Sequence, residues 1–214
     1  MNSNNSLNIT QFRELLNDLP GPNTKAVAMA ESREPLLTKP PGSLGKLEEI
    51  TKWLACWQGR HPPVAEKISV RVFAGNHGIA AHGISAYPPD VTNQMVANFQ
   101  AGGAAINQLC KIANADLQVI PIELDNPTHD FTTQSAMEET EFMNAIQFGL
   151  DSVPNNIDLL CLGEMGIGNT TSAAAICLSL FGGSAADWTG TGTGVSGENY
   201  KTKVNVVADA VRYN

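Results

Sequence analysis

Phe12, Leu15, Leu16 and Leu19 fall at i, i+3, i+4 and i+7, the spacing of one helical face, and predict a helix over residues 10–19. Pro20-Gly21-Pro22 stops it. A second helix is predicted over residues 23–34, ended by Pro35, whose ring and missing N–H cannot continue a helix. Thr38 to Gly45 is a rigid turn rich in proline and glycine. Leu47, Ile50, Leu54 and Trp57 restore the helical spacing over residues 46–58, closed by Gly59 and Pro62-Pro63. Residues 1–62 therefore read as a helical lead-in, expected to belong to a small domain.

From residue 63 the pattern changes. Ile68 to Ala74 is rich in β-branched residues and bounded by Gly75, which predicts a strand. Two further short apolar runs, 117–124 and 157–162, predict strands as well. Between them lie helical stretches at about 90–100, 103–113 and 133–150, the last with Phe142, Ala145, Ile146 and Gly149 on one face. Another helix follows residue 169, and a final one starts near 198. Strands alternating with helices imply an α/β core over residues 63–214, built on a mainly parallel sheet with helices over both faces. On the last helix Val204, Val207, Ala208 and Val211 form an apolar stripe. In a wound sheet such a helix leads into another strand, so the core is expected to be truncated at residue 214.

Composition narrows the function classes. Hydrophobic residues make up 43% and charged residues 16% of the 214, which supports a packed core. A net charge of −8 argues against nucleic-acid binding, which needs clustered Lys and Arg. No apolar run reaches the roughly 20 residues of a membrane span. Met1 to Asn8 is polar, the one biased stretch in the chain, and lacks the basic and apolar regions of a signal peptide. Cys56, Cys110, Cys161 and Cys177 form no CxxC and sit in apolar stretches, where they are expected to be small buried hydrophobes of a cytoplasmic protein. His61, His77, His82 and His129 lack the spacing of a zinc site.

Ligands of open α/β sheets bind beyond the carboxyl ends of the strands. Three segments have that position. In the first, a strand runs through Gly163-Glu164-Met165-Gly166-Ile167-Gly168-Asn169 into a helix opened by Thr170, Thr171 and Ser172. Glycines allow close backbone approach, and unpaired helix N-terminal N–H groups favour an anion. The segment has neither a P-loop lysine nor GxGxxG spacing. It reads either as a phosphate site or as a tight turn with Thr170 as the helix cap. Glu164 would repel phosphate and would suit a ribose diol instead. The second segment, Thr189-Gly190-Thr191-Gly192-Thr193-Gly194, offers another anion cradle or a flexible loop, with Lys201 and Lys203 following as sources of countercharge. The third runs from Gly75-Asn76-His77-Gly78 through Ser85-Ala86-Tyr87-Pro88-Pro89 to Gln94. His77 has the chemistry of a general base or of a hydrogen-bonding structural residue. Ser85 lacks a GxSxG setting. Tyr87 and the prolines offer a flat wall for an aromatic ring, Gln94 a partner for a heteroaromatic nitrogen, and Asp90 a helix cap.

Four stretches carry a resemblance: KPPGSLG at 39–45, AGNHG at 74–78, VTNQMVANF at 91–99 and GEMGIGNTT at 163–171. Their order and separation resemble the nicotinate-nucleotide–dimethylbenzimidazole phosphoribosyltransferase family from about residue 10 onward. The resemblance implies a Rossmann-like parallel sheet with a small helical domain, and a homodimer without metal or organic cofactor. It implies transfer of phosphoribose from nicotinate mononucleotide to 5,6-dimethylbenzimidazole or a related azole base, giving α-ribazole 5′-phosphate and nicotinate in cobalamin synthesis. By the same resemblance Glu164, Gly166, Ile167, Gly168, Asn169, Thr170 and Thr171 hold the nucleotide. Gly190, Gly192, Thr193, Gly194 and Lys203 make its second phosphate loop, and Ser85, Ala86, Tyr87, Gln94 and Met165 edge the base pocket. The sequence departs from the family twice. The family's general base, a glutamate, lies in a C-terminal portion beyond residue 214 and is not Glu164. Thr191 stands where many members carry arginine. A chain of this extent alone is expected to turn over weakly or not at all, while keeping nucleotide binding as a family-related fragment.

Overall fold

The computed structural model describes residues 7–214. The biased N-terminal stretch therefore lies mostly outside the described residues. The chain divides into two compact units. One comprises Leu7–Ile68 with Asn155–Leu159. The other comprises Ser69–Pro154 and Leu160–Asn214.

The first unit is helical: α1 (Ile9–Asn17), α2 (Thr24–Arg33) and α3 (Lys46–Gln58). Asn8 opens α1 with a capping box, its Oδ1 accepting from Gln11 N at 2.9 Å while Gln11 Oε1 accepts from Asn8 N at 3.1 Å. Asn23 caps α2 through Ala26 N at 2.9 Å. Gly59, at φ +64°, closes α3. α2 packs on α3, with Ala26, Ala30 and Ala55 buried. Glu48 organises the proline–glycine turn. It accepts from Lys39 Nζ at 2.6 Å and from Leu44 N at 3.1 Å, so both ends of the turn close on one carboxylate.

The second unit carries the sheet. Its elements are β1 (Ile68–Ala74), α4 (Val91–Gln100), α5 (Ala105–Ala113), β2 (Asp116–Pro121), α6 (Glu139–Asp151), β3 (Leu159–Met165), α7 (Asn169–Phe181), α8 (Ala185–Trp188) and α9 (Gly197–Tyr213). The strand order is β2-β1-β3. β1 and β2 run parallel, with Ser69 opposite Asp116 and Ala74 opposite Pro121. β3 runs the same way. Asp158 N bonds Lys67 O at one end, and Gly75 N bonds Met165 O at the other. All three carboxyl ends therefore share one rim.

Two clusters fill the core. Val70 and Val72 of β1 meet Cys110 of α5, with Leu117, Val119 and Met165 packed against them. Beyond the rim, Ala174 and Ala175 of α7 pack on Val206, Val207 and Ala210 of α9, together with Ile79, Ile84 and Phe131. Arg71 of β1 is also buried. Its guanidinium donates to Ser152 O at 2.9 Å, Val70 O at 3.1 Å and Asp116 Oδ2 at 2.8 Å.

Several expectations change in detail. α6 begins at Glu139 rather than 133. Asp130 holds the preceding residues in a turn by accepting from Thr132 N and Oγ1, which competes with helix formation. Turns of 3₁₀ helix over Glu34–Leu36 and Gly78–His82 and the short α8 are additional elements. Asp90 occupies the cap position of α4 without a side-chain capping bond. The cysteine expectation holds for Cys110, which is buried. Cys56 and Cys177 are half-buried, and Cys161 is exposed. Leu162, beside it on edge strand β3, is 70% exposed, so that part of the sheet lacks the expected helical cover.

Candidate phosphate-loop site

The site grows from the carboxyl ends of β1 and β3, which the Gly75–Met165 backbone bond sets side by side. After β3 the chain turns through Gly166 and Gly168 into α7. Gly166 faces a wall: a Cβ there would run into Gly75 O and come 3.2 Å from His77 Nε2. Gly168 has φ +98°, where side chains are strained, and lies against His77 and Ile79. Both glycines are thus required by geometry.

The helix N-terminus is less open than its sequence suggests. Thr171 N and Ser172 N both bond Gly168 O, Asn169 N bonds Gly166 O, and Thr170 N bonds Asn169 Oδ1. Ile167 N bonds the buried Thr92 Oγ1 at 3.2 Å. Among the described residues, Gly166 and Gly168 keep unpaired amides. Ile167 and Thr171 are buried beneath the turn. Glu164 is exposed and takes the Asn169 side-chain amide on one carboxylate oxygen, which orients Asn169. Thr170 does not cap the helix; Gly168 stands at that position.

The second glycine loop supplies what the first lacks. Gly194 N and Val195 N both close on Thr191 O at 3.0 Å. The amides of Gly190, Thr191, Gly192 and Thr193 form a consecutive run without partners among the described residues, donors open to an anion. Lys203 joins the two loops. It is 1% exposed, and its Nζ donates to Thr170 Oγ1 at 2.8 Å and to Gly190 O at 3.0 Å. A Cβ on Gly192 would sit 2.6 Å from that Nζ. Among the described residues no carboxylate pairs with Lys203, and burial pushes its pKa below the usual lysine value. One ammonium N–H remains unused by them. Thr170 Oγ1, already an acceptor, keeps its own O–H to donate. Lys201 points elsewhere and pairs with Glu198.

The third segment joins the second loop through hydroxyls. Thr193 Oγ1 lies 2.9 Å from Ser85 Oγ and accepts from Ala86 N at 2.9 Å, while Ser85 Oγ accepts from Tyr87 N at 3.2 Å. Tyr87 is 56% exposed beside it, and Gln94 is exposed on α4, in the turn after Thr92. Met165 packs into the strand core.

Sequence reasoning gave Thr92 no role of its own and placed Ser172 only as a residue opening the helix. Thr92 reads as an ordinary first-turn residue of α4, and its bond to Ile167 spans 75 residues. Ser172 Oγ lies 3.2 Å from His77 Nδ1. His77 is held neutral: burial lowers its pKa below 6.5, and the opposing pull of the Glu164 charge is the smaller effect. Among the described residues no group of three or more His, Cys, Asp or Glu is placed to hold a metal ion, and no helix is long and apolar enough to cross a membrane.

Comparison with known proteins identifies the family. Residues 19–214 match the family described as phosphoribosyltransferase. The nicotinate-nucleotide–dimethylbenzimidazole phosphoribosyltransferase of Allorhizobium ampelinum is 54% identical over 203 residues, covering 95% of this chain and 59% of the relative. That of Mesorhizobium japonicum is 56% identical over 196 residues, with 92% and 58% covered. The solved structure of the enzyme of the same name from Thermus thermophilus superposes with a TM-score of 0.80 at 35% identity, covering 89% of this chain and 62% of that one. The chain thus spans about 59% of the length of the curated relatives it matches.

Proposed function

Because this chain belongs to the nicotinate-nucleotide–dimethylbenzimidazole phosphoribosyltransferase family, we propose that its two glycine loops hold the phosphoribosyl group of nicotinate mononucleotide for transfer to 5,6-dimethylbenzimidazole or a related azole base. The observation that carries this reading is Lys203, a buried cation without a carboxylate among the described residues, fixed between Thr170 and Gly190. A buried charge needs a partner, and a phosphate dianion is one. The unpaired amides of 190–193 and the free Thr170 hydroxyl face the same need.

The chemistry then asks for position more than for an activated nucleophile. The bond from C1′ to the nicotinate ring nitrogen is already weakened by that nitrogen's positive charge. As it breaks, its electron pair returns to the pyridine nitrogen, and the sugar becomes oxocarbenium-like. The lone pair of the unprotonated benzimidazole nitrogen attacks C1′ from the opposite face, and the other ring nitrogen gives up its proton to solvent or a general base, giving α-ribazole 5′-phosphate and nicotinate. Orientation in such a site supplies about 7 kcal/mol or more of the barrier. The 85–87 turn and Gln94 border the slot for the incoming ring, which the Thr193 bonds keep next to the phosphate loop. The same reading makes the protein a cytoplasmic homodimer, which sedimentation checks.

Calorimetry with nicotinate mononucleotide and a turnover assay with dimethylbenzimidazole test the proposal. Binding with product formation supports the enzyme. Binding without product leaves a nucleotide-holding module, and no binding overturns the reading.

A further inference from the structure

We propose that His77 is a positioning residue that holds the Gly166–Gly168 turn in the shape the nucleotide requires. It does so through the Ser172 hydroxyl on one ring nitrogen and contact of the other ring edge with Gly166. This rests on the nucleotide reading above and assigns a role to a side chain that reading leaves idle.

The geometry is specific. Both glycines of the turn abut His77: a Cβ at Gly166 would lie 3.2 Å from Nε2, and one at Gly168 would lie 3.2 Å from the His77 Cβ. The opposite ring edge, Nδ1, meets Ser172 Oγ at 3.2 Å in the first turn of α7, and that oxygen is also 3.5 Å from Gly168 O. The ring therefore spans the turn from its entrance to the helix it feeds.

His77 is itself anchored. It bridges Thr128, and its neighbour Gly78 donates to Thr128 O at 2.8 Å, while Ala80 N bonds His77 O at 3.0 Å. Gly78 admits no side chain, because a Cβ would strike the Thr128 carbonyl. The imidazole is thus carried on backbone that cannot drift. Half-burial lowers its pKa and favours the uncharged ring, whose Nδ1 pairs with Ser172 Oγ in either tautomer. A neutral ring adds no second cation beside Lys203, so its contribution is shape rather than charge.

Three variants test this in the chain as it exists. His77→Phe keeps a ring without nitrogen. His77→Asn keeps a polar atom near the Nδ1 position and so the Ser172 bond. Ser172→Ala removes the partner. The expected result is faster amide exchange at 166–170 in His77→Phe and Ser172→Ala, restored in His77→Asn, with thermal unfolding of all three within a few degrees of the parent. Affinity for nicotinate mononucleotide is expected to fall about 10-fold in the first two and to stay within about threefold in the third. Unchanged exchange in His77→Phe, or His77→Asn behaving like His77→Phe, overturns the proposal. A parent chain that does not bind the nucleotide overturns the nucleotide reading instead, while the exchange measurement still judges His77.

Discussion

Thr193 Oγ1 and Ser85 Oγ, 108 residues apart in sequence, lie 2.9 Å from each other and tie the second glycine loop to the 85–87 turn. Valine at 193 keeps the shape of threonine and loses both the Ser85 contact and the Ala86 N–H bond. Each such bond contributes about 1 kcal/mol. Thr193→Val is therefore expected to raise the KM for the azole base about 10-fold while changing nucleotide affinity less than about threefold, and Thr193→Ser to restore it. Steady-state kinetics with each substrate varied in turn check this.

Lys203 gives a pH signature. Its folded pKa lies below the ordinary 10.5 because burial disfavours the charged form. Between that lowered value and 10.5 the unfolded chain binds more protons, so stability of the ligand-free protein rises with pH across this alkaline window. Phosphate binding needs the proton, so nucleotide affinity falls over the same window. Lys203→Met is expected to flatten both profiles and to weaken nicotinate mononucleotide binding by about 10- to 100-fold. Thermal unfolding and calorimetry as functions of pH provide the check.

Glycines in the two loops differ in what they tolerate. Gly166→Ala drives a methyl group into the Gly75 carbonyl, which belongs to the backbone and cannot swing aside. A loss of about 2–4 kcal/mol in stability is expected. Gly190→Ala meets nothing within 4 Å and is expected to change stability by less than about 0.5 kcal/mol. Urea titration of both proteins separates the cases.

Arg71 is expected to matter more than its partner. Arg71→Leu leaves Ser152 O and Val70 O without their donor inside the unit, and about 2–4 kcal/mol of stability is expected to go. Asp116→Asn is expected to cost less than about 1 kcal/mol, since the Asp116 side chain is 68% exposed and the guanidinium keeps its two carbonyls. Chemical denaturation measures the difference.

What could be read in advance was local. β1 and α3 run over the predicted residues because β-branched or helically spaced apolar positions end there on glycine. The loop glycines were legible for the same reason: few residues other than glycine serve such turns. Tertiary features were not. Lys203 is singled out from Lys201 as the countercharge only through the family resemblance; its burial, three and four residues before Val206 and Val207 on the buried face of α9, is set by packing against the loops. The expected stripe, through Val204, Val207, Ala208 and Val211, lies partly off the most buried line for the same reason. Helix N-terminal amides looked free in sequence, yet the carbonyls of Gly166 and Gly168 take most of them. The Ser85–Thr193 and Thr92–Ile167 bonds join positions whose separation hides them.

The asymmetry between the two sides of the site bears on how such a protein diversifies. The Gly166–Gly168 turn is wedged by main chain and imidazole, so drift there is punished at once. The 85–87 turn hangs on two hydroxyls, with Tyr87 in solvent beyond them. On the proposed reading, new preferences for the incoming ring arise by exchanging residues around Tyr87 and Gln94 without touching the proposed phosphate loops, and a library aimed at altered acceptors belongs at those positions.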